Sequence, residues 1–432
     1  MAQAVLSWRI MRACTRLLSA LLLTAFATPS GALASGVTFS AGNAESRAVL
    51  HNTIASFSST GSTVIEQVLW NGDGTETIWV LPINAGSEVA LSSDALVNTF
   101  DAALEVTVRQ PMNSCFITDP SCGGGEVGSG AFGEGSIEPR ADEVSAPSEM
   151  AAVVDDLELK AWLEERGFAL PANLAPTFQG AALEGYGFLV LRLPAAGGLV
   201  SSAAVRVTSE GSAAEVVPML SLPGAGASVN LTVIGNRRYQ PTTAPIVELD
   251  ESDLVWDWTL MTSNYQALEE EVTSDGWLAK AGEPLSPYAF DHLLELANSD
   301  PYASGYGLDG SEPAAAAAAD AEALRAGLSA GSTWVTRLTT RIPSAGLTEG
   351  LALSSLNELS SVDRALLPAS ETGEVPSCGA NSGSCDFMEG DMGMGDEDSG
   401  CATSGRPHGR EQAWLALAAA LVLARKRRLL ER

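Results

Sequence analysis

Two short apolar runs, one near each end and each edged by cations, decide how much of this chain is free to fold. Arg9, Arg12 and Arg16 precede the run 17–27, and Ala32-Leu33-Ala34 follows it. That order of charge, apolar stretch and small residues is a secretory signal peptide; the competing reading is an N-terminal membrane anchor. Cleavage is expected between Ala34 and Ser35. At the other end, Gly400-Cys401 is followed by a polar spacer, the run 414–424 and the cluster Arg425-Lys426-Arg427-Arg428. As a helix that run covers about 16 Å, well short of the roughly 30 Å hydrocarbon core. It reads as a transient stop whose basic end stays on the cytoplasmic side. Cys401 is the expected point of processing or anchoring.

Residues 35–405 remain, enough for one large domain or two modest ones. The chain holds 24 basic and 53 acidic residues. Three basic residues lie before position 35 and seven after 405, whereas Glu411 and Glu431 are the only acids out there. The body therefore carries about 14 basic and 51 acidic residues, a net near −37. Such a body repels phosphate backbones and anionic lipid, which excludes nucleic acid as a partner. Membrane contact is expected only through the C-terminal anchor. Lys160 and Lys280 are the only lysines of the body.

Cysteine use agrees with export. Cys14 leaves with the signal, Cys115 and Cys122 are spaced C-x6-C, Cys378 and Cys385 likewise, and Cys401 is left over. Two local disulfides plus one odd thiol suit an oxidising compartment. Each would close a loop of about eight residues, worth roughly 2–3 kcal/mol. A four-thiolate zinc site is the rival, but zinc pairs sit two to four residues apart.

The expected organisation is a signal at 1–34, a β-rich segment at 35–122, a Gly/Ser/Glu-rich linker or insertion at 123–149, a second segment at 150–366, an acidic stalk at 367–405 and a tag at 406–432. Two β-rich stretches, 64–70 and 75–83, flank Asn71-Gly72-Asp73-Gly74, a hairpin signal. Ser92 or Ser93 is placed to cap a helix to about Leu104, and Asp155 or Asp156 another that ends at Gly167. Short apolar strands follow between 186 and 249. Helices are expected from Ser263, from Ser286-Pro287 and from Pro313 through the alanine run, then an alternating strand at 333–342. The expected fold is α+β: antiparallel sheets with flanking helices in one composite domain, plus a disordered acidic stalk. Trp79, Trp162, Phe188, Leu191, Val233 and Trp334 are expected to share one core, with the linker looping outside it.

Five segments in order carry a resemblance: Ile78-Trp79-Val80-Leu81-Pro82-Ile83, Trp162-Leu163-Glu164-Glu165-Arg166-Gly167-Phe168, Gly187-Phe188-Leu189-Val190-Leu191-Arg192-Leu193, Gly235-Asn236-Arg237-Arg238-Tyr239 and Thr336-Arg337-Leu338-Thr339-Thr340-Arg341. Together they resemble a secreted domain family of unknown function, common in myxobacterial surface proteins, over about residues 36–345. The C-terminal segment is similar to the MYXO-CTERM sorting tag. The resemblance implies export and anchoring at the cell surface through the outer membrane; it implies no chemistry.

The residues themselves offer little chemistry. His51, His292 and His408 are the only histidines, so a Ser-His-Asp arrangement would have to use His51 or His292. Residues 128–133 match G-x-G-x-x-G by letters, but Glu126 and Glu134 flank them and would repel phosphate. Asn71 to Thr75 resembles the middle of a calcium loop without its twelfth-position acid. The acids from Asp386 to Asp398 interleave with Met388, Met392 and Met394, a solvated stalk or a weak calcium or copper(I) site. No catalytic residue, cofactor or metal is assigned. The expected function is a non-enzymatic envelope, adhesion or binding module whose partners are cell-surface components. A carboxylate-dependent envelope hydrolase is the alternative. Non-reducing peptide mapping of secreted protein should find Cys115 joined to Cys122 and Cys378 to Cys385; crossed pairs or bound zinc would refute the assignment.

Overall fold

The β-branched and aromatic stretches build two sheets that face each other. The smaller one orders Val37–Ser40, Thr77–Asn84, Tyr186–Leu193 and Glu149–Val153, all antiparallel. The larger one has ten strands. Its middle runs Trp277–Leu285, Thr333–Arg341, Ser228–Gly235, Ala48–Phe57, Gly61–Asp73 and Gly197–Ser202. The computed structural model describes residues 36–40, 48–111, 144–210, 216–217, 227–242, 244–299, 313–328, 333–341, 351–356 and 361–375. Ala34, Ser35, Cys115, Cys122, Cys378, Cys385, Cys401, the Gly-rich run 128–133 and the acid-methionine segment all lie outside the described residues.

Strand alternation sends neighbouring side chains to opposite faces. In the small sheet Trp79, Leu81, Leu189, Leu191 and Leu193 point to the large sheet, where Val68, Trp70, Leu231, Val233 and Leu338 meet them. The even-numbered neighbours Ile78, Val80, Phe188 and Val190 point outward. Two helices cover them, α2 (Asp156–Glu165), with Leu159, Trp162 and Leu163, and α3 (Ala175–Leu183), with Phe178 and Ala181. Phe178 meets Phe188 edge-on, centroids 5.2 Å apart at 89°. The outer face of the large sheet carries Ile54, Ile65, Ile234, Val335 and Ala281. It is covered by α1 (Ala95–Ala103), α5 (Pro287–Ser299) and α6 (Pro313–Arg325). In α6 the buried stripe is Ala317, Ala321 and Leu324, so the alanine run lets that helix lie close to the sheet. The fold is α+β, with helices outside two facing sheets.

Four expectations change. The six aromatic and aliphatic residues are all buried, but in more than one layer. Trp79, Leu191 and Val233 sit between the sheets, Trp162 and Phe188 under the helices. A strand buried on both faces necessarily feeds two cores. Asn71 to Gly74 is no hairpin: Gly61–Asp73 belongs to the large sheet and Thr77–Asn84 to the small one. The chain turns a corner between sheets there. Gly74 takes φ +83°, its N–H donates to Ala196 O at 2.8 Å, and Asp73 Oδ1 accepts from Thr75 N at 3.1 Å. The large sheet is mixed rather than antiparallel, because Ala48–Phe57 pairs parallel with Ser228–Gly235. Finally, Val144–Ser145 and Ser370–Thr372, assigned to linker and stalk, are strands paired with Gly197–Ser202 and Val255–Asp257.

Phe188→Ala and Trp79→Ala empty different layers, and each should cost about 3–5 kcal/mol. A single urea transition displaced in both variants is the expected outcome. Two transitions, each moved by only one of the variants, would show that the layers unfold separately.

Candidate functional site

The histidines come first. His51 lies on Ala48–Phe57 between Val68 and Val229, facing the inter-sheet layer, and is 1 % exposed. Its Nδ1 has no hydrogen-bond partner among the described residues. Burial pushes its pKa down to about 4, so it is a neutral core residue with apolar cross-strand neighbours. His292 is on the exposed side of α5, its ring stacked on Tyr288 at 6.3 Å and 8°. His51 is thus enclosed between the sheets and His292 lies on the exposed side of a helix outside them.

The structure instead gathers buried charge at three helix–sheet joints. On the strand Val205–Glu210, Arg206 Nη1 sits 2.6 Å from Asp320 Oδ1 of α6, and the Asp320 side chain is 0 % exposed. Ser92 Oγ donates to the other carboxylate oxygen. This is why Ser92 does not cap α1: the N-cap is Asp94, which makes no side-chain cap bond. Burial pushes Asp320 up to about 7, against the pull of Arg206. On Thr333–Arg341, Arg337 Nη1 lies 2.8 Å from Asp101 Oδ1 at the end of α1, and the arginine is 2 % exposed. On Trp277–Leu285, Lys280 Nζ lies 2.7 Å from Glu269 Oε1 of α4 (Tyr265–Asp275), and the lysine is also 2 % exposed. Lys280 falls where the strand register slips between Ala279 and Ala281, a β-bulge that turns its side chain out of the alternation.

Lys280, Tyr265 and Asp363 line a cavity of about 20 Å³ otherwise walled by apolar side chains. That is room for about one water molecule, not for a substrate. Among the described residues no group of three or more His, Cys, Asp or Glu is placed to hold a metal ion.

Surface charge converges around the second and third resemblance segments. Arg192 reaches Glu76 at 2.7 Å, and Arg166 reaches Glu149 at 2.7 Å. The Arg166 guanidinium lies 4.1 Å above the Trp162 ring, and Arg192 lies 5.8 Å from that of Phe168. The Arg166 hydrogen bond, with Arg192 behind it, holds Glu149 below the usual carboxylate range. These residues lock the end of α2 onto the small sheet. Trp162, Arg166, Phe168 and Arg192 belong to two of the resemblance segments, whereas their partners Glu76 and Glu149 lie outside all five. Nothing in the sequence marks Arg206 or Asp320, although a body with only two lysines carries a signal for Lys280.

No protein-family model matches the chain, and neither a curated protein nor a solved structure does.

His51 and Asp320 set opposite pH responses. Below pH 6.5 the unfolded His51 takes a proton that the folded one refuses until about pH 4, so its contribution is lost as pH falls through that window. Asp320 keeps its proton in the folded state up to about pH 7 but releases it above 3.8 when unfolded, so its contribution is lost as pH rises through that window. His51→Leu removes the first slope alone. Relative to the wild type, the variant should gain about 2 kcal/mol between pH 6.5 and 5. Urea midpoints at both pH values check this, and parallel pH profiles would count against a buried neutral His51.

Proposed function

We propose that the chain is an exported, surface-anchored module of the cell envelope that acts by binding or adhesion rather than by catalysis. The observation that carries the reading is the state of Asp320, a carboxyl that burial displaces upward. It is 0 % exposed and bonded on both oxygens to residues of the same fold. A catalytic acid needs a displaced pKa and access to a substrate together; Asp320 has only the first. Arg337 and Lys280 are closed by helix carboxylates in the same way. Buried charge in this body serves to join layers, which suits a rigid display scaffold.

The likeness of the five segments to myxobacterial surface proteins supports the same reading, as do the signal ending at Ala34 and the tag that follows Cys401. The partners are cell-surface or envelope components. Outer-membrane anchoring through the processed Cys401 region accounts for the odd cysteine. Cys401→Ser, or removal of residues 402–432, should release the protein into the medium, as read by fractionation and immunoblot. A Cys401→Ser chain that stays on the cell surface with unaltered mass would overturn the anchor.

A further inference from the structure

One exposed feature combines backbone strain with apolar side chains. Val255–Asp257 and Thr262–Ser263 form a two-stranded clasp, with Ser370–Thr372 added in parallel on the other side. Trp256 and Trp258 are buried beneath it, edge to face at 6.3 Å. The four-residue turn between the strands ends in Leu260 and Met261, which are 62 % and 45 % exposed. Met261 takes φ +54°, the one positive φ outside glycine among the described residues. That conformation costs an L-residue with a Cβ and is ordinarily given to Gly or Asn. An outlier of this kind is kept only where the surroundings fix it, and it marks a place where side-chain direction matters.

The surroundings do fix it. Asp257 Oδ1 accepts from Thr259 N at 2.8 Å and from Leu260 N at 3.1 Å. Trp258 Nε1 donates to Glu371 at 2.7 Å. Gly373, at φ +80°, passes so close that a Cβ there would meet Thr259 Oγ1 at 2.6 Å. Glu374 N donates to Thr259 Oγ1 at 3.4 Å, which brings Val375, 50 % exposed, to the same end of the clasp. The tip is thus a hydrogen-bonded turn that presents Leu260 and Met261 as an apolar wedge, with exposed Val375 following Glu374 at its flank.

We infer that this wedge docks the body onto a lipid surface, a second membrane contact beside the C-terminal anchor. The inference rests on the anchor reading, because the argument for lipid is where the chain goes next. From Val375 the chain continues to the apolar run at 414 and the basic cluster at 425. Thirty-eight residues, 376–413, span at most about 130 Å even when fully extended. Val375, the last described residue before that stretch, lies next in sequence to Glu374 of the clasp, so a membrane-held tether raises the lipid concentration that the wedge meets. Leu, Met and Val gain by leaving water for an acyl boundary. Asp257, Glu371 and Glu374 surround the wedge, so it favours zwitterionic over anionic lipid, the more so at low salt.

The test places an environment-sensitive fluorophore on Leu260→Cys, with Leu183→Cys at the exposed end of α3 as control, in the full chain on phosphatidylcholine vesicles. A parallel form carries a hexahistidine in place of residues 402–432 and is held by a nickel-chelating lipid. The label at 260 should shift blue and the label at 183 should not; phosphatidylglycerol should reduce the shift. Met261→Gly should keep or raise the melting temperature while losing most of the shift, which a purely structural role for Met261 would not produce. A shift only in the chelator-held form keeps the docking and removes the anchor reading. No shift in either form, or equal shifts at both labels, overturns the docking. A shift that needs added envelope protein instead of lipid overturns it too.

Discussion

A row of three side-chain amides and a hydroxyl across four strands holds the large sheet in one register. Thr339 Oγ1 donates to Asn230 Oδ1 at 2.9 Å, Asn230 Nδ2 to Asn52 Oδ1 at 3.2 Å, and Asn52 Nδ2 to Gln67 Oε1 at 3.4 Å. Each bond joins residues directly opposite in the ladder. The row crosses the parallel seam where Ala48–Phe57 of the first half of the chain meets Ser228–Gly235 of the second. A slip by one residue would turn Asn230 into the apolar inter-sheet layer and Leu231 out of it. Unpaired amides in that layer would cost more than the pairing returns. One composite domain follows, because the central pair of its main sheet draws one strand from each half.

With the sheet buried on both faces, the helices have to be seated without water. Apolar contact is non-directional, so it holds a helix against a sheet without choosing its rotation. Three charge-assisted contacts supply direction, the one from Arg206 becoming a full ion pair only above about pH 7. Arg337 reaches α1, Lys280 reaches α4, and Arg206 reaches α6. Each leaves a sheet strand and ends on a helix carboxylate. Removing one partner of such a pair strands the other charge in the interior, at about 3–5 kcal/mol. In a body of strong negative charge, these few cations are therefore placed where a cation does most for specificity, and the surface is left acidic.

Local signals were legible wherever a short stretch decides its own geometry. Asp155 caps the opening of α2, its Oδ1 accepting from Glu158 N, while Glu158 Oε2 accepts from Val154 N just before the cap, both at 2.8 Å. Gly167 closes that helix at φ +79°. Pro287 and Pro313 start α5 and α6 where the sequence put them. The strand Trp277–Leu285 was not legible, since its Ala, Gly and Pro have low strand preference and the bulge at Lys280 breaks the alternation. Helix α3 was hidden by Pro176, which reads as a break but sits in its first turn.

The sequence by itself determined the class of the fold, most helix starts, the extent of the strands with β-branched cores, and the net acidity of the body. Those properties are local or additive, so they survive reading one window at a time. Tertiary structure alone decided which sheet each strand joined, why Trp79 and Phe188 serve different cores, and which acid closes Arg206 or Lys280. It also set the strained outward pose of Met261. Each of these depends on partners separated by up to hundreds of residues, such as Ser92 with Asp320 or Trp258 with Glu371. No window contains both members of such a pair. Only closing the chain into layers brings them within hydrogen-bonding distance and fixes what each side chain must do.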